Sequence, residues 1–96
     1  MRDFNPRSML FPEETTVSER IRAFRTRAGF SQDGLARELG VSEWTVKYWE
    51  NGRRRPNDRL LVLFTSTVGV SYAERVQLYE RIKVERRNQG RHPSGC

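Results

Sequence analysis

The apolar residues of this chain recur every three or four positions, in short runs that glycines and helix-capping residues separate. The first run consists of Val17, Ile21, Phe24 and Ala28, which share one face of a predicted helix. Thr16 and Glu19 have the spacing of a capping box, in which each side chain satisfies an unpaired backbone N–H group. Gly29 stands where a glycine commonly ends a helix.

A second and a third helix follow and are joined by a very short link. Ser31 and Ser42 are good N-cap residues, and each precedes a narrow apolar stripe. The stripes consist of Leu35, Ala36 and Leu39 in the second helix, and of Val46 and Trp49 in the third. The link, residues 40–42, allows only a sharp corner, which is the geometry of a helix-turn-helix. We place the third helix at about Glu43 to Asn51.

Two more helices are predicted after Pro56. Periodicity alone would also allow the apolar run from Leu60 to Phe64 to form a strand. Asn57 before the run and Gly69 after it favour a helix of about three turns. A capping box formed by Ser71 and Glu74 then opens a fifth helix, which reaches about residue 88. Its predicted apolar face consists of Tyr72, Val76, Tyr79 and Ile82.

The pattern therefore predicts an all-α fold, a compact bundle of about five helices that contains a helix-turn-helix. Residues 1–15 are interpreted as an N-terminal tail and residues 16–70 as the helix-turn-helix domain. Residues 71–88 form the C-terminal helix, with dimerisation as a candidate role, and residues 89–96 a disordered tail. A chain of 96 residues supports only a small core, and oligomerisation is one way to bury more surface.

Composition and charge narrow the range of functions. The chain has 18 basic and 12 acidic side chains, a net charge of +6, which suits a polyanion such as nucleic acid. A solvated basic surface explains the same charge. No apolar run approaches the ~20 residues of a membrane helix, and the N-terminus does not resemble a signal peptide. The single cysteine, Cys96, allows no disulfide framework and fits a reducing compartment.

The sequence gives no support for catalysis or metal binding. The only histidine, His92, and the only cysteine, Cys96, both lie in the predicted C-terminal tail. Acid–base or nucleophilic catalysis needs a matched set of groups, and no spacing typical of metal ligands is present. We therefore expect a protein that is not an enzyme and that needs no cofactor and no metal.

Residues 20–70 resemble the Cro/repressor-type, or Xre-like, helix-turn-helix family. Four stretches carry the resemblance: Ser31-Gln32-Asp33-Gly34-Leu35-Ala36, Leu39-Gly40-Val41-Ser42, Val46-Lys47-Tyr48-Trp49-Glu50-Asn51-Gly52 and Arg53-Arg54-Arg55-Pro56. The resemblance implies a lambda-repressor-like DNA-binding domain and a sequence-specific transcriptional regulator, with repression as the expected effect. It further implies a homodimer on double-stranded DNA with two-fold symmetry, in the cytoplasm as a nucleoid-associated protein of bacterial or phage origin.

The resemblance also implies roles for individual residues. The matching positions of the third helix meet base edges in the family, and here they are Glu43, Trp44, Lys47 and Tyr48. Phosphate contacts are expected from Gln32, Thr45, Asn51, Arg53, Arg54 and Arg55. A structural ion pair of the family corresponds to Arg25 and Glu50. For Trp44 the alternative is packing on a partner or on the N-terminal tail, and for Gln32 it is helix capping.

The sequence departs from the family pattern in two helices. Gly34 stands where the family often has Glu, so the second helix lacks a complete capping box. Asp58 occupies a usually apolar position, whereas Leu60 and Leu63 occupy usually polar ones. The fourth helix is therefore apolar on more than its core face. A dimer interface is expected at Leu60, Leu63, Tyr72, Val76 and Tyr79, and the alternative is a fifth helix that folds back within the monomer.

Two other roles are compatible with the same fold. Helix-turn-helix modules of this type also serve as antitoxins, which bind a partner protein as well as DNA, and residues 1–15 and 84–96 would then be the partner-binding arms. The module could also be a protein-interaction domain that has lost DNA binding. The charges favour DNA binding, because basic residues gather around the third helix and only Glu43 opposes them there.

Overall fold

The computed structural model describes residues 10–90, with side chains described up to residue 88. This part of the chain forms five α-helices and no strand: α1 Val17–Arg27, α2 Gln32–Leu39, α3 Glu43–Glu50, α4 Asp58–Val68 and α5 Tyr72–Gly90. The predicted all-α fold is confirmed, and the apolar run of residues 60–64 is helical. None of the helices in residues 10–90 is long and apolar enough to cross a membrane. Helix α5 extends two residues past the predicted end, and the remainder of the predicted C-terminal tail lies outside the described residues.

Side-chain caps set the start of each helix. The caps of the first four helices, each accepting a hydrogen bond from the backbone three residues on, are Thr16, Ser31, Ser42 and Asn57. Helix α2 has only half of a capping box, because Ser31 Oγ accepts from Gly34 N at 2.9 Å and a glycine cannot return the bond. Gly40 ends α2 with φ +72°, a left-handed conformation that favours glycine and turns the chain sharply towards α3.

The core takes apolar side chains from all five helices. Its buried members are Val17, Ile21, Phe24, Leu35, Ala36, Leu39, Val46, Trp49, Leu61, Phe64, Val68, Leu78 and Ile82. The predicted stripes of α2 and α3 are both buried. The Trp49 ring meets the Phe64 ring edge-on at 6.4 Å between centroids, which joins α3 to α4. The inward side of α3 is thereby anchored, and its opposite side faces outward.

Helix α5 packs on its own chain through a side other than the apolar one that its sequence pattern marks. The buried residues are Glu74, Leu78 and Ile82, spaced four apart, and this face packs against α1. Of the predicted face only Ile82 is buried; Tyr72 and Val76 are exposed, and Tyr79 is half-buried against the core. The apolar side of α5 is therefore not the side that packs on its own chain, and the expected dimer contacts of Tyr72 and Val76 remain a prediction. The alternative that the fifth helix folds back within the monomer describes the observed packing of α5.

An ion pair explains the rotation of α5. The Glu74 carboxylate, only 1% exposed, accepts hydrogen bonds from Arg27 of α1 at 2.7 and 3.1 Å and from the backbone N of Ser71 at 2.8 Å. These charge-assisted bonds turn the polar residue inward and leave the tyrosine two positions earlier outside. Apolar periodicity treats a carboxylate as facing water, so it does not mark the side of α5 that carries Glu74 as buried.

Residues 10–16, which were predicted to belong mostly to a tail, lie against α1 and α5. The Phe11 ring meets the Phe24 ring at 5.5 Å, and the Phe11 backbone exchanges hydrogen bonds of 2.9 and 2.8 Å with the Gln77 side chain. These contacts attach the segment to the helical domain. Residues 1–9 of the predicted tail lie outside the described residues.

Arg20 of α1 binds the backbone of residues 12–15 and so attaches this segment to the helices. Its guanidinium is buried and donates to the backbone carbonyls of Pro12, Glu13, Thr15 and Gln77. Burial lowers the pKa of Arg20, and the nearby charge of Arg81 lowers it further. The carbonyl acceptors offset the cost of placing this charge in the interior.

Truncation of Leu78 tests the observed face of α5. Leu78→Ala empties a fully buried site and should lower the free energy of unfolding by about 2–5 kcal/mol. Val76→Ala, on the exposed side of the same helix, should lower it by less than about 1 kcal/mol. Urea unfolding of dilute protein, followed by tryptophan fluorescence, measures both. Equal losses, or a larger loss for Val76→Ala, would contradict the assignment of the buried face.

Candidate nucleic-acid interface

The outward side of α3 carries the four residues that were predicted to read bases. Val46 and Trp49 are buried beneath the helix, while Glu43, Lys47 and Tyr48 are partly exposed on it. Trp44 is 62% exposed, so residues 10–16 do not cover it. The four side chains form two pairs at i,i+4 spacing, which places them together on one side of the helix.

Two cations flank a pair of aromatic rings along this surface. The Lys47 ammonium lies 4.7 Å from the centroid of the Trp44 ring, and the Trp44 and Tyr48 rings are 6.0 Å apart. The Arg54 guanidinium then lies 5.9 Å from the Tyr48 centroid. Cation–π attraction acts within about 6 Å and holds each charge beside a ring. The result is a positively charged strip with flat apolar faces, which suits contact with sugars, phosphates and thymine methyl groups.

A buried ion pair fixes the C-terminal end of α3. Glu50 accepts from Arg25 Nε at 2.5 Å and from Arg25 Nη2 at 3.1 Å, a bidentate contact between α3 and α1. Arg25 Nη1 also donates to the Phe30 carbonyl at 2.7 Å, in the turn between α1 and α2. The two side chains are only 13% and 5% exposed. One ion pair therefore sets the position of α3 relative to α1 and to the start of α2.

Gln32 joins the same carboxylate. Its side-chain nitrogen donates to Glu50 Oε1 at 3.0 Å, from the first position of α2. This bond holds the Gln32 amide beside the exposed surface of α3 and leaves the second N–H of the amide for another acceptor. The helix-capping alternative is not the observed contact, since Ser31 caps α2.

The turn after α3 wraps back over its C-terminal end. The backbone N–H groups of Arg53 and Arg54 donate to the Tyr48 carbonyl at 3.0 and 3.3 Å. Asn51 Oδ1 accepts from Arg53 N at 3.0 Å, and Gly52 takes φ +84° in the turn. Asn51 therefore stabilises the backbone of this turn.

The three arginines of this turn differ in their surroundings. Arg53 and Arg54 are exposed beside the aromatic strip, whereas the Arg55 side chain is 22% exposed and lies 3.9 Å from Glu85 of α5. Thr45, also predicted to meet phosphate, has its hydroxyl 3.1 Å from the hydroxyl of Ser42. Thr45 and Arg54 line one surface depression together with Trp44 and Tyr48, whereas Gln32 contacts α3 through Glu50.

Glu85 is a connecting residue that sequence reasoning missed. Its Oε2 accepts from Val17 N and from Arg81 Nε, at 2.9 and 3.0 Å, and its Oε1 faces Arg55. The carboxylate joins the start of α1, α5 and the turn after α3. Only its spacing of four residues from Arg81 marked it in the sequence, and that spacing is equally typical of a solvated helix face.

The described residues contain no candidate metal site. No group of three or more His, Cys, Asp or Glu side chains in residues 10–90 is arranged to hold a metal ion. His92 and Cys96 lie outside this range.

Comparison with known proteins points to one family. A family model for a helix-turn-helix matches residues 21–75. A protein of Archaeoglobus fulgidus named as an uncharacterized HTH-type transcriptional regulator is 42% identical over 41 residues. This match covers 43% of the present chain and 59% of the relative, so the chain spans about three fifths of that relative's length. No solved structure matches the chain.

Removal of the Glu50 carboxylate tests the role of the buried ion pair. Glu50→Ala leaves the Arg25 guanidinium unpaired in a nearly buried position and should lower the free energy of unfolding by about 3 kcal/mol. Arg37→Ala removes an ion pair with Asp33 whose side chains are 80% and 50% exposed, and should cost less than about 1 kcal/mol. Urea unfolding compares the two variants, and similar small losses would show that the Arg25–Glu50 pair does not hold α3 in place.

Proposed function

This chain belongs to the Cro/repressor-type helix-turn-helix family, and on that premise we propose that it is a sequence-specific DNA-binding regulator of transcription. Helix α3 would enter the major groove, and the bound protein would repress the adjacent gene. The observation that carries this proposal is the outward side of α3, where Lys47 and Arg54 flank the adjacent rings of Trp44 and Tyr48. A basic, aromatic surface on a short projecting helix is typical of major-groove recognition.

We assign base contacts to Glu43, Trp44, Lys47 and Tyr48. A lysine donates to guanine O6 or N7, and a glutamate accepts from cytosine N4. The faces of Trp44 and Tyr48 suit thymine methyl groups or sugars. Their exposure in the free protein supports the assignment, because an indole that is 62% exposed gains from being covered.

We assign phosphate contacts to the residues around α3. Arg53 and Arg54 are the strongest candidates, because both are exposed next to the recognition surface. Gln32, Thr45 and Asn51 offer neutral donors from the same side, and Arg55 shares its charge with Glu85. Such contacts position a protein on the duplex without reading its sequence.

A homodimer completes the proposal. Helix α4 leaves Val62 and Leu63 exposed and helix α5 leaves Tyr72 and Val76 exposed, and a second copy would cover these apolar side chains. Val62 was not predicted for this surface, while Leu60 and Tyr79 were predicted for it and pack instead against the core of their own chain. Two copies related by a two-fold axis would place their α3 helices about 34 Å apart, one turn of the duplex.

The antitoxin alternative gains no specific support. It relies on terminal arms for a partner protein, and residues 10–15 contact α1 and α5 of their own chain. Residues 84–90 belong to α5, where Glu85 bonds to α1. The described parts of both arms are therefore engaged within the molecule.

Selection from random-sequence duplexes tests the proposed function. Gel-shift selection at two salt concentrations, followed by sequencing, should enrich an inverted repeat whose half-sites lie about 10 base pairs apart. Lys47→Ala should relax the base preference at one position, since a good base contact contributes about 1–3 kcal/mol of discrimination. Lys83→Ala removes the same charge from α5 and should leave the preference intact. A wild-type pool without enrichment would contradict the function, and an unchanged preference for Lys47→Ala would contradict the placement of the recognition surface.

Arg54→Ala should weaken DNA binding without changing the base preference. Loss of one phosphate contact weakens binding to all sequences alike and reduces the slope of log K against log salt by about 1. Arg87→Ala, which removes an exposed arginine from α5, is the matched control and should leave the slope unchanged. Fluorescence anisotropy on the selected duplex and on an unrelated one, at several salt concentrations, measures both. A loss confined to the selected duplex would instead make Arg54 a base-reading residue.

A further inference from the structure

We infer that Glu43 and Lys47 act as one unit that reads both bases of a single base pair, with a keto group on the Lys47 side and an amino group on the Glu43 side. G·C in one orientation is the base pair that fits best. This inference rests on the proposed function and adds the chemical identity of one position in the recognized sequence.

The two side chains form an ion pair on the first turns of α3. Lys47 Nζ lies 3.7 Å from Glu43 Oε2, and the side chains are 37% and 42% exposed. The Trp44 ring lies 4.7 Å from the same ammonium. The ammonium therefore lies between a carboxylate and an indole, and a donor and an acceptor are presented side by side.

The major-groove edge of a base pair offers a matching spacing. Guanine O6 and cytosine N4 are joined by a hydrogen bond and are thus about 2.9 Å apart. O6 accepts, and the second hydrogen of N4 points into the groove. An ammonium on O6 and a carboxylate on N4 would then lie side by side, so the ion pair can be kept while both bases are contacted.

The other base pairs fit less well. C·G and A·T place an amino group against Lys47 and a keto oxygen against Glu43, so that donors meet donors and acceptors meet acceptors. T·A keeps the keto and amino order but puts the thymine methyl group where guanine offers N7 to the ammonium. The expected order of preference is therefore G·C, then T·A, with C·G and A·T last.

Electrostatics also favours joint action. A carboxylate in the major groove is repelled by the phosphates on both sides, and this repulsion is least when a cation stays next to it. Glu43 is the acidic residue among the four of the recognition surface, and Lys47 is its partner there. Neither side chain would be expected to enter the groove as effectively alone.

Duplex selection with four proteins tests the inference: wild type, Glu43→Ala, Lys47→Ala, and the exchange of Glu43→Lys with Lys47→Glu. The wild-type motif should contain a G·C position preferred on the order of tenfold or more over C·G and A·T. Both single variants should flatten that same position and leave the others unchanged. The exchange should invert the preference there to C·G, because the donor and the acceptor have changed places.

A second acid–base pair supplies the control. Asp33 and Arg37 of α2 are also four residues apart, at 3.1 Å, and are not among the assigned base-reading residues. Their exchange should leave the sequence preference unchanged. Circular dichroism of each variant confirms that it is folded.

The outcomes separate this inference from the proposed function. If Glu43→Ala and Lys47→Ala flatten two different positions, or if the exchange variant still prefers G·C, the joint reading is wrong while sequence-specific binding stands. If the exchange variant enriches no sequence, the test rests on the two single variants. Flattening of the same position by Glu43→Ala and Lys47→Ala supports the joint reading, and flattening of different positions contradicts it. If the wild type enriches no sequence, the proposed function and this inference fail together.

Discussion

The ion pair between Arg25 and Glu50 is the interaction on which the position of α3 depends. It joins α1 to the end of α3, and the same carboxylate accepts from Gln32 at the start of α2. A buried ion pair contributes little net stability compared with a well-packed apolar pair, so its main effect here is on orientation. Apolar packing of Trp49 holds the inward side of α3, and the ion pair prevents the exposed side from turning.

At the edge of the bundle, too, apolar packing and ion pairs have separate roles. Apolar side chains supply the core, and guanidinium–carboxylate contacts determine how the peripheral elements lie on it. Arg27 and Glu74 set the rotation of α5, and Glu85 joins α5 to the start of α1 and to Arg55. Arg20 differs because it holds residues 10–16 through backbone carbonyls.

Local signals in the sequence were sufficient for the helices and insufficient for two of their contacts. Caps such as Ser42 and the left-handed Gly40 act on neighbouring residues, so the starts of the helices and the sharp turn could be predicted. The buried face of α5 could not, because it depends on a partner of Glu74 that lies 47 residues away in the chain. Likewise, the apolar excess of α4 gave no indication that Leu60 packs on its own core. The side of α3 that faces outward followed from its apolar stripe, whereas the contact between Lys47 Nζ and Glu43 Oε2 required the structure.

We propose above all that the outward side of α3, with the turn that follows it, is the surface that meets DNA. The most direct measurement is an NMR titration of the isotope-labelled protein with the duplex that it selects. We predict that the largest amide shifts occur at Gln32, in Glu43 to Tyr48 and at Arg53 and Arg54, with small shifts along α5. Large shifts centred on α5 or on residues 10–16, with α3 unperturbed, would contradict the account.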